Sequence, residues 1–544
     1  MKKYMNKIFV GSLAIAALTM TSCASDYLDT VPTESVSTGT AVGSAENAYM
    51  ALNGIAKTMS TQQYAYSQGC AGENRIIALY ENYASQDYFY NYYASGWGPI
   101  MNLQYSLRNN TTYDAYPWNY YYNIISQANS IICNIDGAEG TESLKNFDKA
   151  SALTYRAYAF EKLLHYYCVR WKDSNNGAAD GLVLRVDEST GGLALSTMAK
   201  AYEQIYEDCK EAIALFESSD DDRDKSEVWI ANKNVAHAVY ARAALAKEDY
   251  DTALTQAKLA RAGYPLMSNT DYWAGFCRPT SEWIFGSYGD ASENMWYWSY
   301  GTQYACNGYY ANNTPNGAGS MDRELYTQIP DNDARKALFL TEDKFPGINI
   351  ASDADVNKAY GILGWDNDDL WDQVYAYIAK MDAYGEGDPA YASGYSYLGG
   401  QLKFRVFDTP GVGYLPFIRS SEMVLIEAEA NYFLSNPTAA QAALVELNAG
   451  TGRNPDYTCS LTGESLWKEI RNYRALELWG EGFGFSDYQR WNMDIDRKGL
   501  TNGGTAAAPI AIKIPASDPN WTWVIPQNET DYNDAFKDSG DSNE

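Results

Sequence analysis

Four regions of the chain repeat apolar and small residues at spacings of three and four, the period of an amphipathic helix. Residues 117–135, "PWNYYYNIISQANSIICNI", and 148–171, "DKASALTYRAYAFEKLLHYYCVRW", predict two packed helices. Residues 232–264, "NKNVAHAVYARAALAKEDYDTALTQAKLARAGY", predict a helix, a turn at Glu248 and Asp249, and a second helix. Ala236, Ala243, Ala253 and Ala257 place small side chains where the two helices must approach closely, which is the packing logic of tetratricopeptide pairs. A fourth helical zone spans about 420–449 and continues over 464–482.

The stretches 84–114, 265–325 and 341–416 lack this periodicity and are rich in Gly, Asn, Asp, Tyr and Trp. They predict ordered excursions and short hairpins mounted on the helices, the kind of insertion on which binding residues concentrate. No Pro-rich or Ser-rich linker separates independent units. The expectation is a mainly α protein: a scaffold of tetratricopeptide-like helix pairs with long ordered loops and a few short strands, forming one domain over residues 39–544.

The aromatics of the excursions fit neither a strand nor a helical stripe. "ENMWYWSYGTQYACNGYYANN" (293–313) sets Trp296, Trp298, Tyr300, Tyr304, Tyr309 and Tyr310 beside Glu293, Asn294, Gln303, Asn307, Asn312 and Asn313. "SQDYFYNYYASGWGPIMN" (85–102) sets Tyr88, Tyr90, Tyr92, Tyr93 and Trp97 beside Asp87 and Asn91. Sugars present apolar CH faces and rims of hydroxyls, so flat rings next to amides and carboxylates are what a glycan site needs. Rings in long loops also pack those loops onto a scaffold, and more than half of these are expected to do only that. The glycan-binding candidates are Trp97, Trp296, Trp298 and Tyr300, with Tyr88, Asn91, Asn294 and Tyr309.

Composition narrows the class. The chain has 544 residues, 47 Tyr, 15 Trp and a formal net charge of -28. No basic footprint is available for nucleic acid, and polyanionic partners are disfavoured. With two His in the whole chain, His165 and His237, both inside helical patterns, and no G-x-S-x-G, H-E-x-x-H or P-loop, hydrolase triads and zinc sites lack parts. No catalytic residue, cofactor or metal site is assigned. "WDNDDLWD" (365–372) concentrates oxygen ligands but lacks the glycine placement of an EF-hand, and reads as an acidic turn.

The N-terminus carries an address. Lys2, Lys3 and Lys7 precede an apolar run from Ile8 to Leu18 and small residues before Cys23, which reads as a secretory signal over residues 1–22. "M-T-S-C" resembles a bacterial lipobox, with Cys23 as the lipidated first residue and 24–38 as a tether. Cys70, Cys133, Cys168, Cys209, Cys277, Cys306 and Cys459 then remain, an odd number without metal spacing, expected to be mostly isolated thiols.

"C-A-S-D-Y-L-D-T-V-P" (23–32), "YYYNIISQANSII", "ALTYRAYAFEKLLHYY", "YLPFIRSSEMVLIEAEA" (414–430), "LNAGTGR" (447–453), "IRNYRALELWGEGFGFSDYQRW" (470–491) and "IPQNE" (525–529) resemble, in order, the blocks of the RagB/SusD family of nutrient-binding outer-membrane lipoproteins. The resemblance implies a helical scaffold with a loop face that binds glycan. It also implies a partner, a SusC-like TonB-dependent transporter to which glycan is delivered at the cell surface, and no catalysis. Transporter capping for a non-glycan nutrient such as peptide is the alternative. Arg419, Glu422, Glu427, Glu429, Arg471, Arg474, Glu477, Glu481, Asp487 and Arg490, with Asp333 and Arg335, then read as buried ion pairs of the scaffold. Gly484 stands where the family has Arg, which implies a simpler network there.

Overall fold

The computed structural model describes residues 42–61, 71–89, 98–289, 305–308, 319–345, 347–349, 368–385, 398–407, 413–499, 502–506 and 509–538. The protein is mainly α. Its described helices of eight residues or more are α1 (Ala45–Ser60), α2 (Thr112–Asn134), α3 (Glu142–Tyr167), α4 (Met198–Ser218), α5 (Lys233–Ala246), α6 (Tyr250–Ala260), α7 (Asp368–Asp382), α8 (Ser420–Phe433), α9 (Pro437–Val445), α10 (Gly463–Glu477) and α11 (Gly484–Trp491). Strands are short and pair antiparallel in twos: β1 (Tyr88–Phe89) with β3 (Ser320–Met321), β2 (Trp283–Gly286) with β4 (Pro416–Arg419), and β5 (Ile495–Asp496) with β6 (Lys513–Ile514).

From α1 to α6 the helices stack in chain order, each on the one before, and α8 closes on α6 before α9 and α10 pack on α8. Each helix of the first six begins at a capping side chain: Ser44, Thr111, Thr141, Thr197, Asn232 and Asp249 accept a backbone N–H from the first turn. These caps satisfy donors the helix itself leaves orphaned. The α5–α6 pair follows the alanine pattern, with Ala236, Ala243, Ala253 and Ala257 fully buried. Glu248 takes the left-handed turn at φ 59°. Asn234 closes the far end of α6, its amide donating to the carbonyls of Leu259, Ala260 and Ala262.

Pro117 lies inside α2, where it should break the backbone ladder. Two tyrosines make good the loss. The carbonyl of Tyr113, which a proline cannot serve, accepts from the Tyr80 hydroxyl at 2.8 Å. The Tyr167 hydroxyl accepts from the Trp118 N–H at 3.0 Å and donates to the Asp114 carbonyl at 2.5 Å, bridging the next broken bond.

Buried apolar residues form one contiguous cluster from Val42 to Phe536. Inside it the C-terminal half holds a group of ions. Arg335 pairs with Asp333 (2.9 Å) and Glu477 (2.8 Å); Arg419 pairs with Glu282 (2.8 Å), Glu477 (2.8 Å) and Glu481 (2.7 Å). Lys403 meets Glu481 at 2.6 Å, and Arg453 lies 3.3 Å from Glu477. All eight are buried. Around it Arg242 holds Glu422, Arg261 holds Glu427, and Arg490 holds both Glu429 and Asp487, to which Arg474 also donates. Arg471 differs: it reaches Met493 Sδ at 2.9 Å and lies over the Trp467 ring. A Cβ at position 484 would meet Ser85 Cβ at 2.3 Å, so the space for a side chain is already filled.

Two expectations are corrected. Part of the excursion 341–416 is helix α7, whose buried Val374, Ile378 and Met381 recur at helical spacing. Asp368 and Asp369, read as part of an acidic turn, open that helix. Cys168, Cys209 and Cys306 are buried free thiols, Cys277 is buried, and Cys133 is exposed. Among the described residues no helix is long and apolar enough to cross a membrane.

Candidate functional site

Trp97, Asn91, Asn294, Trp296, Trp298, Tyr300 and Tyr309 lie outside the described residues, as does Cys23. What is described is where the segments bearing them join the scaffold, and those roots meet. β1 runs into residue 90 and β3 follows residue 318, and they pair with Tyr88 opposite Met321 and Phe89 opposite Ser320. The segment that returns at residue 398 joins the same place: Met321 N–H donates to the Gly399 carbonyl (2.9 Å), and Gln401 N–H to that of Gly319 (3.2 Å). Three segments far apart in sequence thus share one foundation.

Tyr88, a sequence candidate for glycan contact, is 2% exposed. Its ring stacks on Trp479 at 4.7 Å between centroids and 19° between planes, with Tyr83 on its other flank at 5.6 Å. Buried against both rings, Tyr88 belongs to the foundation. Gly319 is required beside it, since a Cβ there would stand 2.0 Å from the Tyr88 hydroxyl. Asn307, among the amides of the second aromatic stretch, is likewise buried. Its Nδ2 donates to the Val406 carbonyl at 2.7 Å and its Oδ1 accepts the Val406 N–H at 2.8 Å. With Cys306 N–H on the Phe404 carbonyl (2.8 Å), residues 305–308 clamp the aromatic stretch to strip 404–406.

Acidic groups lie under this foundation. Asp322 N–H donates to the Asp87 carbonyl (3.0 Å), and the Trp479 indole donates to the same oxygen (2.8 Å). Burial, and the Asp322 carboxylate beside it, push Asp87 up to about 7. Burial and Glu324 do the same to Asp322, also to about 7. Lys403, next to the strip, donates to the carbonyls of Glu477 (3.0 Å) and Trp479 (2.8 Å) and so joins the ion cluster to the stacked rings. Among the described residues no group of His, Cys, Asp and Glu could hold a metal ion. His165 is pushed down to about 3 by burial, so it is neutral, and His237 shares a 2.6 Å hydrogen bond with Gln256.

Sequence reasoning missed a second aromatic group. Beside the described ends at residues 289 and 413, Tyr288 stands edge-on to Trp229 at 5.0 Å, and Tyr414 stacks on Trp229 at 6.3 Å and 12°. All three are partly exposed. Their positions, 229, 288 and 414, carry no common motif, and pairing of β2 with β4 is what gathers them.

A stack of tetratricopeptide-like helix pairs, with long aromatic-bearing segments rooted together in minimal strand ladders, defines a scaffold built to present a loop face. The chain belongs to the RagB/SusD family. The model of the SusD family matches residues 281–541, and that of a family described as starch-binding associating with outer membrane matches residues 26–245. In fold the chain is similar to a SusD-like carbohydrate binding protein from Bacteroides vulgatus, at 20% identity and a TM-score of 0.69, over 91% of this chain and 98% of that one. It is also similar to a SusD superfamily protein from Bacteroides thetaiotaomicron, at 21% identity and a TM-score of 0.65, over 90% and 98%. A SusD superfamily protein from Bacteroides fragilis gives 18% identity and a TM-score of 0.64, over 90% and 98%. At these identities the likeness establishes the fold. No curated protein matches the chain.

Proposed function

We propose that this protein is a cell-surface glycan-binding lipoprotein, anchored in the outer membrane through Cys23. It captures an oligo- or polysaccharide and delivers it to a SusC-like TonB-dependent transporter, without catalysis of its own. The observation that carries the reading is the common foundation: β1, inside the aromatic stretch 85–102, pairs with β3, seven residues beyond the stretch 293–313, and Gly399 joins them. The two sequence-nominated stretches can then act on one ligand. Membership of a family described as starch-binding and outer-membrane associated supports it. Two or three stacked rings at about 0.5–1.5 kcal/mol each, less the cost of association, give a weak site in the micromolar to millimolar range, which suits a protein that must release its ligand.

The test is affinity electrophoresis of the chain from residue 24 onward, through gels containing a panel of neutral and acidic polysaccharides. Trp97→Ala and Trp296→Ala run beside it, with circular dichroism to confirm that each variant is folded. Retardation by one glycan, lost in a folded variant, is the expected result. Absence of retardation on every glycan, together with co-purification of the transporter, would transfer the assignment to transporter capping for another nutrient such as peptide.

A further inference from the structure

We propose that a cleft of about 430 Å³ at the start of α2 is a second glycan contact, in which a neutral pyranose unit stacks on Tyr532. The cleft runs between residues 109–119 and the short helix Gln527–Tyr532. It shares no residue with the foundation of the loop face. Its size is that of a small-molecule site, which typically spans about 300–1,000 Å³. The proposal rests on the glycan reading above for the class of ligand, and adds a place on the helical scaffold where the same chain is held.

The first argument is a fixed frame that carries unengaged polar side chains. Gln527 N–H donates to the Asn109 carbonyl at 2.7 Å and Val524 N–H to that of Ser106 at 2.8 Å, which laces the C-terminal segment to the approach to α2. Asn528 Nδ2 donates to Asn119 Oδ1 at 3.2 Å, and Thr111 caps α2 by accepting the Asp114 N–H at 3.1 Å. The side chains of Asn109, Asn110, Thr112, Gln527 and Asp531 make no hydrogen bond or ion pair among the described residues. Each amide offers both donors and an acceptor, and a threonine hydroxyl offers both as well. Sugar hydroxyls, which donate and accept in turn, call for that mixture on walls that are already in place.

The second argument is the ring. Tyr532 lines the cleft at 85% exposure and makes no ring contact or hydrogen bond among the described residues. Tyrosine ordinarily keeps part of its ring covered. The CH face of a pyranose laid on this ring would cover it, while the hydroxyl rim of the same sugar reached the amides.

Charge sets the kind of sugar. No Lys or Arg lines the cleft, and Asp531 stands in its wall. An acidic sugar would meet a carboxylate and no cation, so the unit is neutral. A second contact on the same body makes the binding of a polymer that reaches both an intramolecular event at one of them. Long chains are then held more tightly than short ones although neither contact is strong.

The test is ligand-observed saturation-transfer NMR titration of the chain from residue 24 onward with maltohexaose, cellohexaose, xylohexaose, mannohexaose and trigalacturonate. The proteins are the wild type, Tyr532→Ala, Trp97→Ala/Trp296→Ala, and the last carrying Tyr532→Ala or Tyr532→Phe, each shown to be folded by circular dichroism. At least one neutral hexasaccharide should still bind Trp97→Ala/Trp296→Ala, and adding Tyr532→Ala should weaken it about threefold to tenfold, the worth of one stacked ring. Tyr532→Phe, which keeps the ring, should retain the binding, and trigalacturonate should not bind. Absence of neutral binding in Trp97→Ala/Trp296→Ala, equal binding with and without Tyr532→Ala, or trigalacturonate binding as well as the neutral probes overturns the proposal. Binding lost in the Trp variants alone leaves the loop face standing without this cleft. Binding lost with Tyr532→Ala alone leaves the cleft and overturns the loop assignment, and no binding by any of the proteins overturns both.

Discussion

Replacing Glu477 by Gln removes one negative charge from a cluster of four cations and four anions in which no side chain is open to water. Glu477 accepts from Arg335 and Arg419 at 2.8 Å each and faces Arg453 at 3.3 Å. Burial alone would raise its pKa, but the guanidinia of Arg453, Arg419 and Arg335 and the Lys403 ammonium outweigh it and hold it well below the usual carboxylate range. The amide is nearly isosteric, so packing survives. One positive charge is left uncompensated, and the new NH₂ group faces donors. Breaking a buried ion pair from one side costs about 3–5 kcal/mol. Urea unfolding followed by far-UV circular dichroism should show that loss. Glu446→Gln, on the exposed end of the Arg261 pair, should cost at most about 1 kcal/mol. Arg453 is the cation with least to lose, because its Nε and Nη2 make no hydrogen bond. Glu477→Gln/Arg453→Met, neutral again, should therefore be more stable than Glu477→Gln alone. A single-variant loss below about 1 kcal/mol, or strictly additive losses in the double variant, would refute charge balance as the reason these groups are buried together.

Tyr167→Phe removes the hydroxyl that bridges Trp118 and Asp114 behind Pro117, and urea unfolding should register a loss of about 1–3 kcal/mol; under about 0.5 would mean that α2 closes the gap itself. Gly484→Ala drives a Cβ into Ser85 and should cost about 1–3 kcal/mol, part of it recovered when Ser85→Gly is added; no recovery would place the strain elsewhere. Stability should fall as pH rises from 6 to 8. Burial raises Asp87 and Asp322 to about 7 and Asp114 and Asp148 to about 8, so the stability each contributes is complete below the unfolded value and lost as pH passes the folded one. Lys403, pushed down to about 8 by burial, acts with the opposite sign but above that window, between its folded value and the ordinary lysine range. Glu477, Glu481 and Asp487, all held low, lose their contribution only under more acid conditions. Thermal melts across pH 4–9 check the sign, and a flat or rising curve between pH 6 and 8 would refute it.

The helices were legible where apolar period and caps coincide. The α5–α6 pair, its turn at Glu248 and its buried alanines follow from one stretch of sequence, because every contact that defines it is local. The sequence reading passed over α4, although Ala201, Ile205, Cys209, Ala212 and Phe216 recur on one buried face. It also passed over α7, whose apolar stripe sits inside an aromatic-rich excursion. The acidic and basic residues of the C-terminal half were read correctly as scaffold, but not their partners. Glu282, Arg335, Lys403 and Glu477 come together from four distant places, and no periodicity encodes that. Tyr88 was misread for a related reason: a Tyr in a loop sequence looks the same whether its ring faces ligand or Trp479, and only the antiparallel pairing with Met321 decides.

This distribution follows from what the two layers must do. Loop segments that contact a ligand need freedom in their own composition, and that freedom is tolerable only if their ends cannot shift. Here the ends are set by short ladders, by the Tyr88–Trp479 stack and by Lys403, which ties the Trp479 carbonyl to the ion cluster. An apolar foundation of equal volume would be as stable or more so. Ion pairs fix relative position more strictly, because each guanidinium satisfies its donors in one arrangement of its partners. Arg419 alone addresses Glu282, Glu477 and Glu481, binding the residue before β2, the end of α10 and the turn before α11 in a single geometry. The charged core is thus the part of the scaffold that converts helix packing into a fixed register for the segments above it.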